Sequence, residues 1–188
     1  MRTYEIIKSA PYCCVCAIIE SIVKRHGYEI NQYDIANYIG LVCPKEDLPI
    51  IPNEITNIHT SIEAKDWGVH LKSDTLNNLF KHFNIPLKET FFSGNQVNEF
   101  TFESILEEVS EEYDVMFFIS HGTLYGIKDN IDFGHCILYI QKQKDNIEYL
   151  DPGPINLGIQ TKDIYDIYLS IKKRANSGCG FSVISKID

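Results

Sequence analysis

Apolar residues Val15, Ile18, Ile19, Ile22 and Val23 recur every three or four positions, which predicts a helix with one buried face. Gly27 ends the run where a helix C-cap is expected, and Pro11 bounds it on the other side. Residues 31–41 repeat the pattern on a smaller scale, with Asn31 as N-cap and Gly40 as stop. Pro44, Pro49 and Pro52 predict an exposed loop over 42–53 without regular structure, and Ile55 to Ala64 reads as helical. Trp67-Gly68-Val69 is a break, and Asp74 to Phe83 carries Leu76, Leu79, Phe80 and Phe83 on one helix face. Leu87 to Phe92 then reads as a strand, Ser93 to Asn98 as a turn, and Phe102 to Val109 as a helix with a solvated acidic face.

The second half of the chain changes character. Val115 to Ile119 is a continuous apolar run suited to a strand covered on both faces. After a loop of about a dozen residues holding Gly122, Tyr125, Gly126, Asp129 and Asp132, His135 to Ile140 and Asn146 to Leu150 read as strands. Residues 143–146 form the turn between them, so the two make a hairpin. Asp151-Pro152-Gly153-Pro154 stops the sheet, Thr161 to Ile171 reads as a helix, and Phe181 to Ile187 as a last strand. Helices lead and strands follow, the pattern of an α+β fold in one domain spanning 1–188.

Composition narrows the function. A formal charge of −9 argues against nonspecific binding to nucleic acid or anionic membranes. No apolar run approaches the roughly 20 residues that span a bilayer. The first dozen residues lack the apolar core of a secretory signal, so the expected location is the cytoplasm, or a destination reached without a cleaved signal. Adjacent Cys13 and Cys14 do not resemble a disulfide framework, and the six cysteines are read as reduced.

Chemistry concentrates in three places. Cys13, Cys14 and Cys16 occupy the first turn of the first helix, where unpaired N–H groups and the helix dipole favour a thiolate. His135 opens one hairpin strand and Asp151 ends the other, and antiparallel pairing brings those two ends together. An imidazole can take the thiol proton while a carboxylate fixes the imidazole's tautomer, so Cys14, His135 and Asp151 are the candidate catalytic residues. Two rivals use the same cysteines. Cys13-x-x-Cys16 has the spacing of a thioredoxin-like dithiol, which requires a parallel sheet. Cys13, Cys16, His135 and Cys136 offer soft zinc ligands, with only half of the spacing signal of a structural site. His59, His70, His82 and His121 stand at no telling sequence spacing and read as surface or core residues, and Trp67 reads as a core anchor.

These residues resemble a family, the papain-like cysteine peptidases of the bacteriocin-processing kind, which cleave leader peptides after a double glycine and often precede peptide-exporting ABC transporters. Cys14-Val15-Cys16-Ala17 is similar to the family's Cys-Gly-x-Ala at the head of a helix ending in Gly, and counting back from Gly27 selects Cys14, with Cys13 the alternative nucleophile. Gly134-His135-Cys136-Ile137-Leu138-Tyr139 resembles its Gly-His-Phe-Val-Val-Leu strand, Asp151-Pro152 its Asp-Pro, and Gly68-Val69 through Leu76 to Leu87 its intervening helix and strand.

The resemblance implies a papain-like fold, with a helical lobe carrying the nucleophile and facing an antiparallel sheet. It implies acyl transfer through a thioester on Cys14, with a peptide or protein substrate and neither metal nor organic cofactor. The acceptor is water in a peptidase and an amine in an acyltransferase of the same fold; a degenerate domain of this fold would instead bind a peptide or partner in its cleft. Lys8 stands where the family has its oxyanion-hole Gln, and Val15 where it has Gly, so Lys8 and Ser9 are the oxyanion-hole candidates, together with the backbone N–H of Cys14. The sequence has neither membrane spans nor a phosphate-binding Gly-rich loop, so the substrate need not be a double-glycine leader.

Overall fold

The computed structural model describes residues 2–127 and 133–187. Asp129 and Asp132, noted in the sequence, lie outside the described residues. The helical layer comprises α1 (Cys14–Arg25), α2 (Gln32–Ile39) and α3 (Thr75–His82), with a small parallel ladder of β1 (Leu41–Cys43) and β2 (Ile58–Thr60). Then follow β3 (Leu87–Ser93), α4 (Glu99–Glu108), β4 (Asp114–Ser120), α5 (His121–Tyr125), β5 (Gly134–Gln143), β6 (Asn146–Asp151), β7 (Gly158–Asp163), α6 (Ile164–Lys173) and β8 (Gly180–Lys186). Strands β3 to β8 form one sheet in the order β3-β8-β4-β5-β6-β7, antiparallel throughout.

The sheet separates two apolar clusters. Val15, Ile18, Ile19, Ile22 and Val23 of α1 pack with Leu76, Leu79 and Phe80 of α3 against Met116, Cys136, Leu138 and Ile140 on one face. On the other face, Phe102 and Leu106 of α4 and Ile167 and Ile171 of α6 pack on Phe117, Ile137, Tyr139, Tyr149 and Phe181. Alternate residues of β5 thus serve alternate faces, as the strand's two-residue period requires, and this central strand carries His135 at its open end.

Three predicted elements are corrected. Ile55 to Ala64 is not helical: Ile58–Thr60 is strand β2, paired with β1, and only Ala64–Asp66 coils, as a 3₁₀ turn. Within 42–53, β1 and a 3₁₀ turn over Lys45–Ile50 replace the expected irregular loop. Thr161 to Ile171 is also not one helix, because β7 runs to Asp163 and α6 starts at Ile164. The Asp163 carboxylate caps α6 by accepting the Tyr165 N–H at 2.8 Å.

The segment before α1 has no regular structure and is tied to both layers. The Arg2 guanidinium donates to the carbonyls of Tyr113 at 2.6 Å and Ile140 at 2.9 Å, and to those of Val109 and Ser110. Tyr4 donates its phenol to Asp114 at 2.6 Å. The Ser9 N–H reaches the Pro152 carbonyl at 2.8 Å, just beyond β6. The Gln32 amide braces the same segment, donating to the Lys8 carbonyl at 3.0 Å and accepting the Ala10 N–H at 2.8 Å. This strap delivers the start of α1 to the open ends of β5 and β6.

Candidate active site

Cys13 is the N-cap of α1: its carbonyl accepts the Ala17 N–H at 2.9 Å, and its side chain is wholly buried. Its thiol lies against Cys16, whose own thiol is pushed up by burial and by that hydrogen bond. Cys14, the next residue, is half-buried and turns to the sheet. Its sulfur is hydrogen-bonded to the His135 side chain and receives the backbone N–H groups of Cys136 and Val15. The structure thus sets Cys14, and not Cys13, against the histidine.

His135 Nε2 donates to Asp151 Oδ1 at 3.0 Å, which leaves Nδ1 for the sulfur. The Asp151 carboxylate is almost wholly buried at the end of β6, and Oδ1 also accepts the Gly153 N–H at 2.8 Å. Its other oxygen, Oδ2, accepts the phenol O–H of Tyr125. Tyr149 O–H donates in turn to the Tyr125 oxygen at 3.2 Å. The His121 ring stands edge-on to His135, with centroids 5.3 Å apart.

Electrostatics follow from these contacts. Burial alone would push the Cys14 thiol up, but the His135 hydrogen bond and charge, with the two backbone donors, hold it below the ordinary thiol value. Burial alone would lower His135, yet its bonds to Asp151 and Cys14 push it up to about 10. Asp151 is held below the usual carboxylate range against the effect of burial, by His135 first and then by Tyr125 and the Gly153 N–H. Opposite shifts on cysteine and histidine favour a thiolate–imidazolium pair at neutral pH.

The oxyanion-hole candidates fare differently. The Lys8 side chain is exposed, and only its backbone carbonyl is engaged, by Gln32. Ser9 is buried, but its hydroxyl donates to the Ala10 carbonyl at 2.6 Å and its N–H to Pro152, so both of its donors are committed elsewhere. The N–H of Cys14 lies in the first turn of α1, where no intrahelical carbonyl can accept it.

Trp67 is only half-buried and does not anchor the core. It stands edge-on to Tyr12 with centroids 6.2 Å apart, and stacks on Phe133 at 6.1 Å. Tyr12 lies two residues before Cys14 and Phe133 two before His135, so this aromatic run connects the two layers beside the pair. Of the residues around the site, Tyr149 lies on the predicted strand 146–150, without a sequence signal that connects it to the site. Nothing in the sequence pattern marked Tyr125 as the carboxylate's partner, or Gln32 as the brace.

The thioredoxin-like reading of the cysteines does not fit this sheet. A thioredoxin-like unit needs a parallel sheet, and the six strands here run antiparallel. Among the described residues no group of three or more His, Cys, Asp or Glu side chains is placed to hold a metal ion, and no helix is long and apolar enough to cross a membrane.

No family model matches the sequence, and no curated protein matches it. Solved structures do. A candidate C39-like peptidase from Bacillus anthracis superposes with a TM-score of 0.62 at 15% identity, over 98% of this chain and 96% of that one. The peptidase domain of Streptococcus ComA, a bi-functional ABC transporter involved in a quorum-sensing pathway, gives 0.52 at 11% identity, over 98% and 99% of the two chains. With helices on the Cys14 side and an antiparallel six-stranded sheet opposite, the chain has the papain-like fold of the C39-like peptidases.

Proposed function

We propose that this protein is a cysteine peptidase that cleaves a peptide bond through a thioester on Cys14. The observation that carries the reading is the hydrogen-bonded line from the Cys14 sulfur through His135 to Asp151, in which the thiol is lowered and the imidazole raised. The Cys14 thiolate attacks the scissile carbonyl carbon, and its N–H at the helix start faces the developing oxyanion. The imidazolium gives its proton to the leaving amine, which departs as the thioester forms. Neutral His135 then takes a proton from water, whose oxygen attacks the thioester and releases the acid and the Cys14 sulfur. Asp151 holds the imidazole in the tautomer that both steps need. The peptidase neighbours by structure support a peptide as substrate.

The test is a mixed peptide library incubated with the native protein and with a Cys14→Ala variant, the products identified by mass spectrometry. New termini that appear only with Cys14 support hydrolysis. If the native protein yields no Cys14-dependent product, and iodoacetamide labels Cys14 no faster than a free thiol, the reading fails. Amide products formed only when an amine is supplied would replace hydrolysis by acyl transfer.

A further inference from the structure

Helix α5 follows directly from β4 and is only five residues long, yet two of its side chains face the Cys14–His135–Asp151 line. Ser120 caps it by accepting the Thr123 N–H at 3.0 Å, Gly126 closes it with a left-handed backbone at φ 67°, and Leu124 fixes it to the core. His121 and Tyr125, four residues apart on this single turn, share one side of it, their rings 4.8 Å apart. His121 meets the edge of the catalytic imidazole, and Tyr125 reaches the carboxylate behind it.

We propose that Tyr125 is a positioning residue for the acyl-transfer site, its phenol O–H locking the Asp151 carboxylate so that one oxygen is presented to His135. This rests on the peptidase reading above and deepens it. The carboxylate has two oxygens and three donors. Oδ1 takes His135 Nε2 and the Gly153 N–H, and among the described residues Oδ2 takes Tyr125 alone. Without the phenol, Oδ2 is buried and unsatisfied, and the carboxylate plane is free to turn away from the imidazole. Tyr149, wholly buried, donates to the Tyr125 oxygen and so directs the Tyr125 hydrogen toward Asp151. Burial, and then the bonds to Asp151 and Tyr149, raise the Tyr125 phenol far above its ordinary value, so it remains a donor throughout the working pH range. Among the described residues, the other titratable groups packed around the site are Cys14 from α1, His121 from α5, Cys136 from β5 and Tyr149 from β6. Burial and the nearby Cys14 push the Cys136 thiol up, which keeps it neutral.

Once the carboxylate plane turns away, Asp151 holds the imidazolium less well, and the imidazolium holds the Cys14 thiolate less well. The Cys14 titration therefore moves up. The experiment is iodoacetamide alkylation of Cys14 from pH 5 to 9, followed by mass spectrometry, with the melting temperature measured in parallel. The proteins are the native chain, Tyr125→Phe and Tyr149→Phe. Tyr125→Phe is expected to move the alkylation limb up by about one pH unit, about tenfold slower labelling at pH 6. Tyr149→Phe, which keeps the phenol on Asp151 but loses the donor behind it, is expected to move the limb the same way by less than half of that. A native limb at the ordinary thiol value would overturn the peptidase reading, and this one with it. A depressed native limb that Tyr125→Phe leaves in place, even with a lowered melting temperature, overturns the positioning role alone.

Discussion

Replacing Asp151 by Asn and by Ala separates the carboxylate's geometry from its charge. Two donors, His135 Nε2 and the Gly153 N–H, converge on Oδ1 at 3.0 and 2.8 Å, and among the described residues only Tyr125 addresses Oδ2. An asparagine in this pocket therefore places its carbonyl oxygen at the Oδ1 position, because the opposite orientation sets its NH₂ against two donors. The imidazole keeps its tautomer, and the Tyr125 phenol turns to accept from the new amide. What is lost is charge: the hydrogen bond to His135 becomes one to a neutral acceptor, about 1.5 kcal/mol weaker. That difference is roughly a tenfold fall in kcat/KM. Asp151→Ala removes the acceptor altogether, leaves a buried imidazole N–H unpaired and lets the ring turn, for a loss of about 10²–10³-fold. The assay is kcat/KM on the peptide that the library screen selects, with Cys14 alkylation at pH 6 as a substrate-free check. Equal losses in the two variants would refute the argument, since the carbonyl would then not replace the carboxylate in orienting His135. A loss as large as 10⁴ in the Asn variant would mean that its amide sits the other way round.

The pH dependence has a worked sign. The thiolate exists above the lowered Cys14 value and the imidazolium below about 10, so kcat/KM should rise from the acid side at a pH below the ordinary thiol range and fall near 10; an acid limb at the free-thiol value would count against the pair. Asp114 is fully buried and receives Arg25, Tyr4 at 2.6 Å and His26 at 2.6 Å, so Asp114→Ala strands charged and polar partners in the interior. It should cost about 3–5 kcal/mol in a denaturant titration. The melting temperature should fall by roughly 6–20 °C, and a drop of under 2 °C would show that these groups find water instead. Cys13→Ala should keep kcat/KM within about threefold of the native value while Cys14→Ala abolishes turnover, and the reverse would shift the nucleophile by one residue.

Legibility in the sequence followed the strength of local signals. Helix α2 was readable because Asn31 accepts the N–H groups of Tyr33 and Asp34, both at 2.9 Å, and Gly40 takes the φ of +100° that ends it. Strand β7 was not, since it is an edge strand whose one large apolar residue, Ile159, is more than half exposed. With no buried face it lacks the alternation that marks a strand, and the apolar spacing of α6 extended backward over it. The three-residue β1–β2 ladder is too short for any period to show. At the site, His135 and Asp151 were readable as a pair because a hairpin joins their strand ends. The aspartate's second partner was not: Tyr125 comes from a short turn whose place is fixed by the packing of α5 on α6 and β4, contacts far apart in the sequence or too short to show a period.

The departures at Lys8 and Val15 become intelligible once backbone is distinguished from side chain. At Lys8 the fold uses the carbonyl, clamped by Gln32, and leaves the ammonium in solvent, so the residue can change without disturbing the strap. At Val15 it uses the N–H, which points at the Cys14 sulfur, and buries the isopropyl group in the core beneath. A donor from the main chain is indifferent to the residue that carries it. Elsewhere the side chains themselves make the connection: Gln32 of α2 bracing the strap, His135 and Asp151 on the hairpin, and Arg2, whose guanidinium ties the strap to carbonyls more than a hundred residues away. That tie fixes where the strap delivers the start of α1, and so how closely the Cys14 sulfur approaches the imidazole.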